Sequence, residues 1–207
     1  SARRDTMNCC LFDVAHVLKG GFEMGNIWYN EPKTLDVAFD VIGDIVLSAA
    51  SQQYGGFTVP SVDLILEPYA EKSYTRNLEK YSSLGVAEEK AKEVAWQDVV
   101  REMEQGFQGW EYKFNTVASS RGDYPFITVT AGTGTGRFAR LATISMLKVR
   151  RKGEGKAGCK KPVLFPKIVF LYDENLHGPG KPLEDVFEAG VRCSAKTMYP
   201  DWLSLTG

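Results

Sequence analysis

The spacing of apolar and polar positions changes several times along this chain of 207 residues. Residues 9–13 read as a short buried strand, with polar Asn8 at its head. Gly20-Gly21 and Gly25 read as a loop. The spacing then predicts a helix over about 35–53, with Thr34 as N-cap and Tyr54-Gly55-Gly56 as its stop. Its apolar residues (Leu35, Val37, Phe39, Val41, Ile42, Ile45, Val46, Leu47) fall nearly all round the axis. A helix of that kind is buried in a core or in an oligomer interface.

Ser61 is placed to cap a second helix, roughly 62–80, with Pro68 inside it as a kink. A third helix, about 87–115, carries Ala95, Val99, Met103, Phe107, Trp110 and Phe114 at three- and four-residue intervals, so they form one stripe. Residues 126–131 alternate as a strand, and Gly132-Thr133-Gly134-Thr135-Gly136 leads into a helix over about 137–150. A loop rich in Gly and Lys precedes a strand at 163–172, and a last helix is expected at about 183–198. Trp202 to Gly207 reads as the start of a further apolar strand. Strands alternating with helices predict an α/β fold with at least partly parallel strands. Few strands for so many apolar helices point to a portion of a larger barrel or sheet.

Composition narrows the function classes. With 25 Lys and Arg against 26 Asp and Glu, the formal charge of −1 supports neither a nucleic-acid polymer nor a membrane surface as partner. No apolar run approaches the ~20 residues of a membrane span. Ser1-Ala-Arg-Arg-Asp5 has no apolar stretch behind it and does not read as a signal peptide. The four cysteines (Cys9, Cys10, Cys159, Cys193) form no C-x-x-C pair, and His16 and His177 complete no zinc pattern. Reduced thiols in a cytoplasmic protein are the expectation.

Six groups carry residue types that could do chemistry. Cys9 and Cys10 are adjacent in a strand, so alternation sends them to opposite faces and they are not partners; each is either a small buried hydrophobe or a hydrogen donor. The polar stretch 115–126 contains Arg121-Gly122-Asp123, too short to specify adhesion, and reads as a connecting loop. The Gly132–Gly136 run stands where a helix N-terminus favours an anion, but its spacing is neither a dinucleotide fingerprint nor a P-loop. The basic run from Lys148 to Lys161 reads as a solvated loop, with a polyphosphate clamp as its rival. His16 and His177 read as surface or satisfied histidines, and Glu184, Asp185 and Glu188 as an exposed face.

Taken together, a set of motifs in order resembles one family: Asn8-Cys9 with Leu11-Phe-Asp13, Gly21-Phe-Glu-Met-Gly-Asn26, Glu31-Pro-Lys33, Tyr54-Gly-Gly56, Phe107-Gln108 with Glu111-Tyr112, Asn115-Thr116, Pro125-Phe-Ile-Thr128, Phe165-Pro-Lys-Ile-Val-Phe170, and Cys193 with Met198-Tyr-Pro-Asp201. The chain resembles an internal piece of the class III, anaerobic ribonucleoside-triphosphate reductase.

The resemblance implies a ten-stranded α/β barrel of the glycyl-radical and ribonucleotide reductase type, with dimer-interface helices. Residues 1–33 would supply the first barrel strand and a loop, 34–115 the helices of the dimer interface and effector site, and 116–207 further barrel strands and helices. It implies reduction of ribonucleoside triphosphates by thiyl and glycyl radical chemistry. A cysteine elsewhere takes the ribose 3′-hydrogen, the 2′-hydroxyl leaves as water, and Cys9, on the first strand, supplies hydrogen to C2′. Asn8 would bind ribose hydroxyls. Lys33 and Arg76 would hold effector phosphates, with Glu111 nearby and Asp44 about three helical turns beyond Lys33 on a similar face, where an amide is the family expectation. Gly122-Asp123-Tyr124-Pro125 departs from the commoner Gln-Thr before proline.

The glycyl radical, the radical-bearing cysteine and a zinc-binding end would lie after Gly207, and Cys159 and Cys193 match none of them. The implied effectors are ATP and dNTPs, the reductant formate or a redox protein, and the partners a second copy and a radical-SAM activase. The 207-residue chain alone is expected to be inactive. Two alternatives stand beside this reading: another glycyl-radical enzyme of similar barrel, and a non-catalytic nucleotide-binding regulatory module.

Overall fold

The computed structural model describes residues 10–11, 13–51, 56–116, 126–153, 155, 157–160 and 163–206. In chain order its elements are β1 (Cys10–Leu11), α1 (Val14–Leu18), β2 (Phe22–Met24), β3 (Ile27–Tyr29), α2 (Leu35–Ser51), β4 (Phe57–Val59), α3 (Val62–Ser83), α4 (Glu88–Thr116), β5 (Ile127–Ala131), α5 (Arg137–Lys152), β6 (Lys167–Tyr172), α6 (Glu174–His177), α7 (Glu184–Ser194) and β7 (Asp201–Ser204). Asn8 and Cys9 lie outside the described residues, as do Gln52–Gly55 and Val117–Pro125.

Five strands form one sheet in the order β1-β4-β5-β6-β7, and every neighbouring pair is parallel. The order never reverses. Right-handed crossovers of that kind send the connecting helices to one face. Burial agrees: Phe57, Val59, Ile127, Val129, Ala131, Ile168 and Phe170 are buried, and the residues alternating with them in β4 and β5 are less so. Thr58 is in register with Thr128, and Thr128 with Lys167, so these three form a half-buried polar row on the other face. The Leu11 backbone continues that row at β1, and the Cys10 backbone is in register with buried Phe57.

β4 is a finding that periodicity misses. Three residues between Gly56 and Pro60 carry too little alternation to be read, yet this strand joins β1 to the rest of the sheet. The stretch 34–115 therefore holds a sheet strand as well as helices. The Gly20–Gly25 loop is a hairpin, β2 against β3, closed by Gly25 and Asn26 with φ of 59° and 64°. Those paired positive φ values are what a two-residue turn joining twisted strands requires.

The apolar girdle of α2 is explained within the chain. Leu35, Ala38, Phe39, Ile42, Ile45 and Val46 are buried as α2 packs on α3, α4 and β4. Its exposed stripe is mainly acidic, Asp36, Asp40 and Asp44 with Val37 beside them. On α4 the whole predicted stripe from Ala95 to Phe114 is buried, each large apolar side chain contributing about 1.5–3 kcal/mol before chain entropy is counted. α3 runs on through Pro68, whose missing N–H frees the carbonyl of Leu64 on an exposed face where water reaches it.

Both expected caps fail as side-chain caps. Thr34 donates its hydroxyl to Asp36 Oδ1 (2.5 Å), and the Leu35 N–H is taken instead by Ser73 Oγ of α3 (2.7 Å). Ser61 holds the N-cap position of α3 without a side-chain hydrogen bond, its own N–H donating to Thr130 Oγ1 (2.8 Å).

Candidate functional site

The Glu31-Pro32-Lys33 segment is tied onto α3. Glu31 accepts from the Gly20 N–H (3.3 Å), the Tyr69 hydroxyl (3.5 Å) and Lys72 Nζ (3.4 Å). The Gly20 amide, and then the Lys72 charge, hold the Glu31 carboxyl below its ordinary value. Tyr69 is pushed up to about 12 by burial and by the negative charge of Glu31.

Ser73, next along α3, caps α2 two residues after Lys33, and Arg76 follows Lys72 by one helical turn. The structure thus gathers Lys33, Lys72 and Arg76 at one junction of α2 with α3, where Lys33 and Arg76 are exposed. Lys72 is the cation that reasoning from sequence left out; its four-residue spacing from Arg76 was the available signal.

Beside this junction, α2 and α4 line a cleft of ≈ 260 Å³ with Asp36, Asp40, Glu102, Gly106, Trp110 and Lys113 among its walls. Burial raises the pKa of Glu102, partly offset by the Ser73 hydroxyl it accepts (3.0 Å). Carboxylates in the cleft repel phosphate and suit hydroxyl and amino groups, whereas the cations at the junction suit phosphate.

Asp44 and Glu111 are placed elsewhere. Asp44, one helical turn beyond Asp40 on α2, accepts from Lys113 Nζ (3.1 Å), which itself lines the cleft. Glu111 is buried and accepts from Arg150 Nε (2.8 Å), and Arg150 also donates to the Pro166 carbonyl (2.6 Å). The Glu111 side chain therefore meets α5, and through Arg150 it is linked to the segment just before β6. Arg150 corrects the reading of the basic run as a solvated loop: it is 1% exposed, and Lys148 beside it is bound to Glu104 (2.6 Å).

The Gly132–Gly136 turn is occupied by the protein's own anions. The Gly132 and Gly134 amides donate to Asp63 Oδ2 (3.2 and 2.9 Å), and the Ala139 amide at the start of α5 donates to Glu67 (3.3 Å). A second anion would have to displace these carboxylates. Among the described residues no cluster of His, Cys, Asp and Glu is arranged to hold a metal ion, and no helix is long and apolar enough to cross a membrane.

The sequence profile described as anaerobic ribonucleoside-triphosphate reductase matches residues 2–207. The chain belongs to the anaerobic ribonucleoside-triphosphate reductase family. The reductase of that name from Enterobacteria phage T4 is 37% identical over 199 residues, which cover 95% of this chain and 32% of the phage protein. The Escherichia coli K12 reductase is 34% identical over 198 residues, covering 95% of this chain and 27% of the bacterial one. This chain thus spans about a third or less of these relatives. A crystal structure of the Thermotoga maritima anaerobic ribonucleotide reductase, in complex with dATP and CTP, superposes with a TM-score of 0.62 at 15% identity, over 96% of this chain and 33% of that one. At that identity the likeness shows the fold alone.

Within this reductase-family segment His177 and Cys193 are buried. His177 is a satisfied buried histidine, as expected: Nε2 donates to the Gly132 carbonyl (2.6 Å) and Nδ1 accepts from the Asp173 amide (2.9 Å). Cys193 is buried beside Thr197, and burial pushes its thiol up; Cys159 is exposed. Glu184, Asp185 and Glu188 are exposed, with Asp185 paired to Arg140 (2.5 Å).

Proposed function

We propose that this chain is the segment of an anaerobic ribonucleotide reductase that carries the hydrogen-donating thiol and the effector-binding helices. The family match over residues 2–207 carries this reading. The fold supports it: five parallel strands wound in one direction are what half of a ten-stranded barrel requires, and the row Thr58, Thr128 and Lys167 is polar, as the inner wall of a nucleotide site must be.

In this reading Cys9 donates hydrogen to ribose C2′, and Asn8 holds ribose hydroxyls. Cys10, whose backbone is in register with Phe57, has no chemical role. The glycyl radical, formed by a radical-SAM activase, and the zinc site belong to parts of the reductase outside this chain, as does the second radical cysteine. Lys33 and Arg76 take the phosphates of ATP or a dNTP, with Lys72 beside them. Asp44 reads the base, acting beside Lys113 of the cleft wall. Glu111 enters this reading only by supporting α4 from beneath. The helices α2 and α4 carry the contact between two copies, and the working protein is cytoplasmic, with formate or a redox protein as reductant.

The test is dNTP formation by the full-length reductase carrying this segment, with activase and reductant. Cys9→Ala abolishes turnover and Cys10→Ala retains it; the reverse pattern overturns the assignment. Arg76→Ala weakens dNTP binding by about tenfold or more, the worth of one charge-assisted hydrogen bond to phosphate; unchanged binding removes Arg76 from the effector site.

A further inference from the structure

Two side chains from outside the Gly132–Gly136 turn hold its backbone, and a third holds the start of the helix that follows. Asp63, in the first turn of α3, is wholly buried and accepts the Gly132 and Gly134 amides on one carboxylate oxygen. From the other side, His177 of α6 donates to the Gly132 carbonyl. Glu67, one turn along α3, accepts the Ala139 amide. Gly132 has φ of 127°, a conformation that side chains disfavour. A Cβ on Gly134 would strike Ala139 and Asp63, and one on Gly136 would strike Glu67. The turn lies at the carboxyl end of β5, the end at which parallel α/β sheets bind their ligands.

α3 runs unbroken from this turn to the cationic junction. From Asp63 to Arg76 is about 20 Å of helix. At the far end Ser73 caps α2, and Lys72 holds Glu31. A displacement of α3 by a ligand at Lys33, Lys72 and Arg76 would therefore move the carboxylate that defines the turn.

We propose that Asp63 is a positioning residue for substrate selection: it fixes the Gly132–Gly136 turn and transmits to it the state of the nucleotide-bearing end of α3. This rests on the effector reading given above. Burial penalises the Asp63 charge, and the two glycine amides only partly offset that. Asparagine at this position keeps the shape and loses the charge that grips both amides.

The experiment uses the full-length reductase as wild type, Asp63→Asn and Glu67→Gln. Two quantities are read: dNTP binding, and the change in KM for each ribonucleotide when the dNTP is added. In Asp63→Asn, dNTP binding stays within about twofold of wild type, while the effector-driven change in KM falls by about fivefold or more, the low end of ordinary coupling between sites. A fall in kcat with the response to effector unaltered marks a purely structural role and overturns the proposal, as does a full effector response in both variants. Glu67→Gln, at a more exposed position, decides the matter if Asp63→Asn does not fold. In the wild type, dNTP binding changes hydrogen exchange at the Gly132 and Gly134 amides; unchanged exchange also overturns the proposal. A wild type that binds no dNTP brings down the effector reading itself, and the binding arm identifies that failure separately.

Discussion

Arg150 and Glu111 form a buried ion pair, Nε to Oε1 at 2.8 Å, with side-chain exposures of 1% and 4%. It joins the last turn of α5 to the last turns of α4, and through the Pro166 carbonyl it reaches the entry to β6. The Arg150 guanidinium also lies 4.8 Å from the centre of the Tyr199 ring, just before β7. Next to it, Asn115 donates to the Phe165 carbonyl (2.6 Å) and accepts the Phe165 N–H (3.1 Å). The ends of two helices and the starts of two strands are thereby fastened at one point.

Glu111→Ala should destabilise the protein by about 3–5 kcal/mol, because it leaves a guanidinium buried without its counter-charge. The double variant Glu111→Leu with Arg150→Met should recover most of that loss, since neither charge then needs solvation. Urea unfolding of the two variants checks this. A single variant within about 1 kcal/mol of wild type would mean that water reaches Arg150.

Gly106→Ala should be destabilising although alanine is the better helix former. The propensity gain is about 1 kcal/mol. Against it, the new Cβ would run into the ring of Phe39, which is 2% exposed and wedged edge-on against Phe107 and Trp110. Overpacking of that kind costs about 1–3 kcal/mol, so the net effect is a fall in the thermal midpoint. A rise would show that α2 and α4 can separate without loss.

Glu102 should give the protein a pH-dependent stability that Glu102→Gln removes. Burial raises its folded-state pKa above the ordinary 4.5. The folded protein therefore binds this proton more tightly than the unfolded chain does. Its contribution to stability is present below that ordinary value and is lost as pH rises through the raised one. Denaturant midpoints measured upward from pH 4.5 should fall more steeply for wild type than for the variant. Parallel profiles would show that the carboxyl is solvated.

The candidate site was partly legible. Lys33 and Arg76, 43 residues apart in sequence, belong to segments that the hydrogen bonds of Glu31 and Ser73 tie together. The partner of Glu111 was not legible: its place between Phe107 and Phe114 puts it on the buried stripe of α4, but nothing local names the residue it meets. Arg150 was hidden for the same reason, in a run of lysines and arginines of which, among the described residues, it alone is fully enclosed.

By itself the sequence determined what repeats at short range. The apolar spacing of 95–114 located α4 and its buried stripe, the alternation of 126–131 located β5, and the ordered motifs named the family. These signals are local, since a helix or strand presents its own period whatever it packs against. Only the tertiary structure decided what depends on distant partners. β4 exists because β1 and β5 flank it. α2 is capped by a serine 38 residues away, and the glycine turn is held by a carboxylate 71 residues from Gly134. A buried amide, carboxylate or guanidinium must find a partner wherever the fold supplies one, and that partner's position is a property of the packing that no local stretch of sequence records.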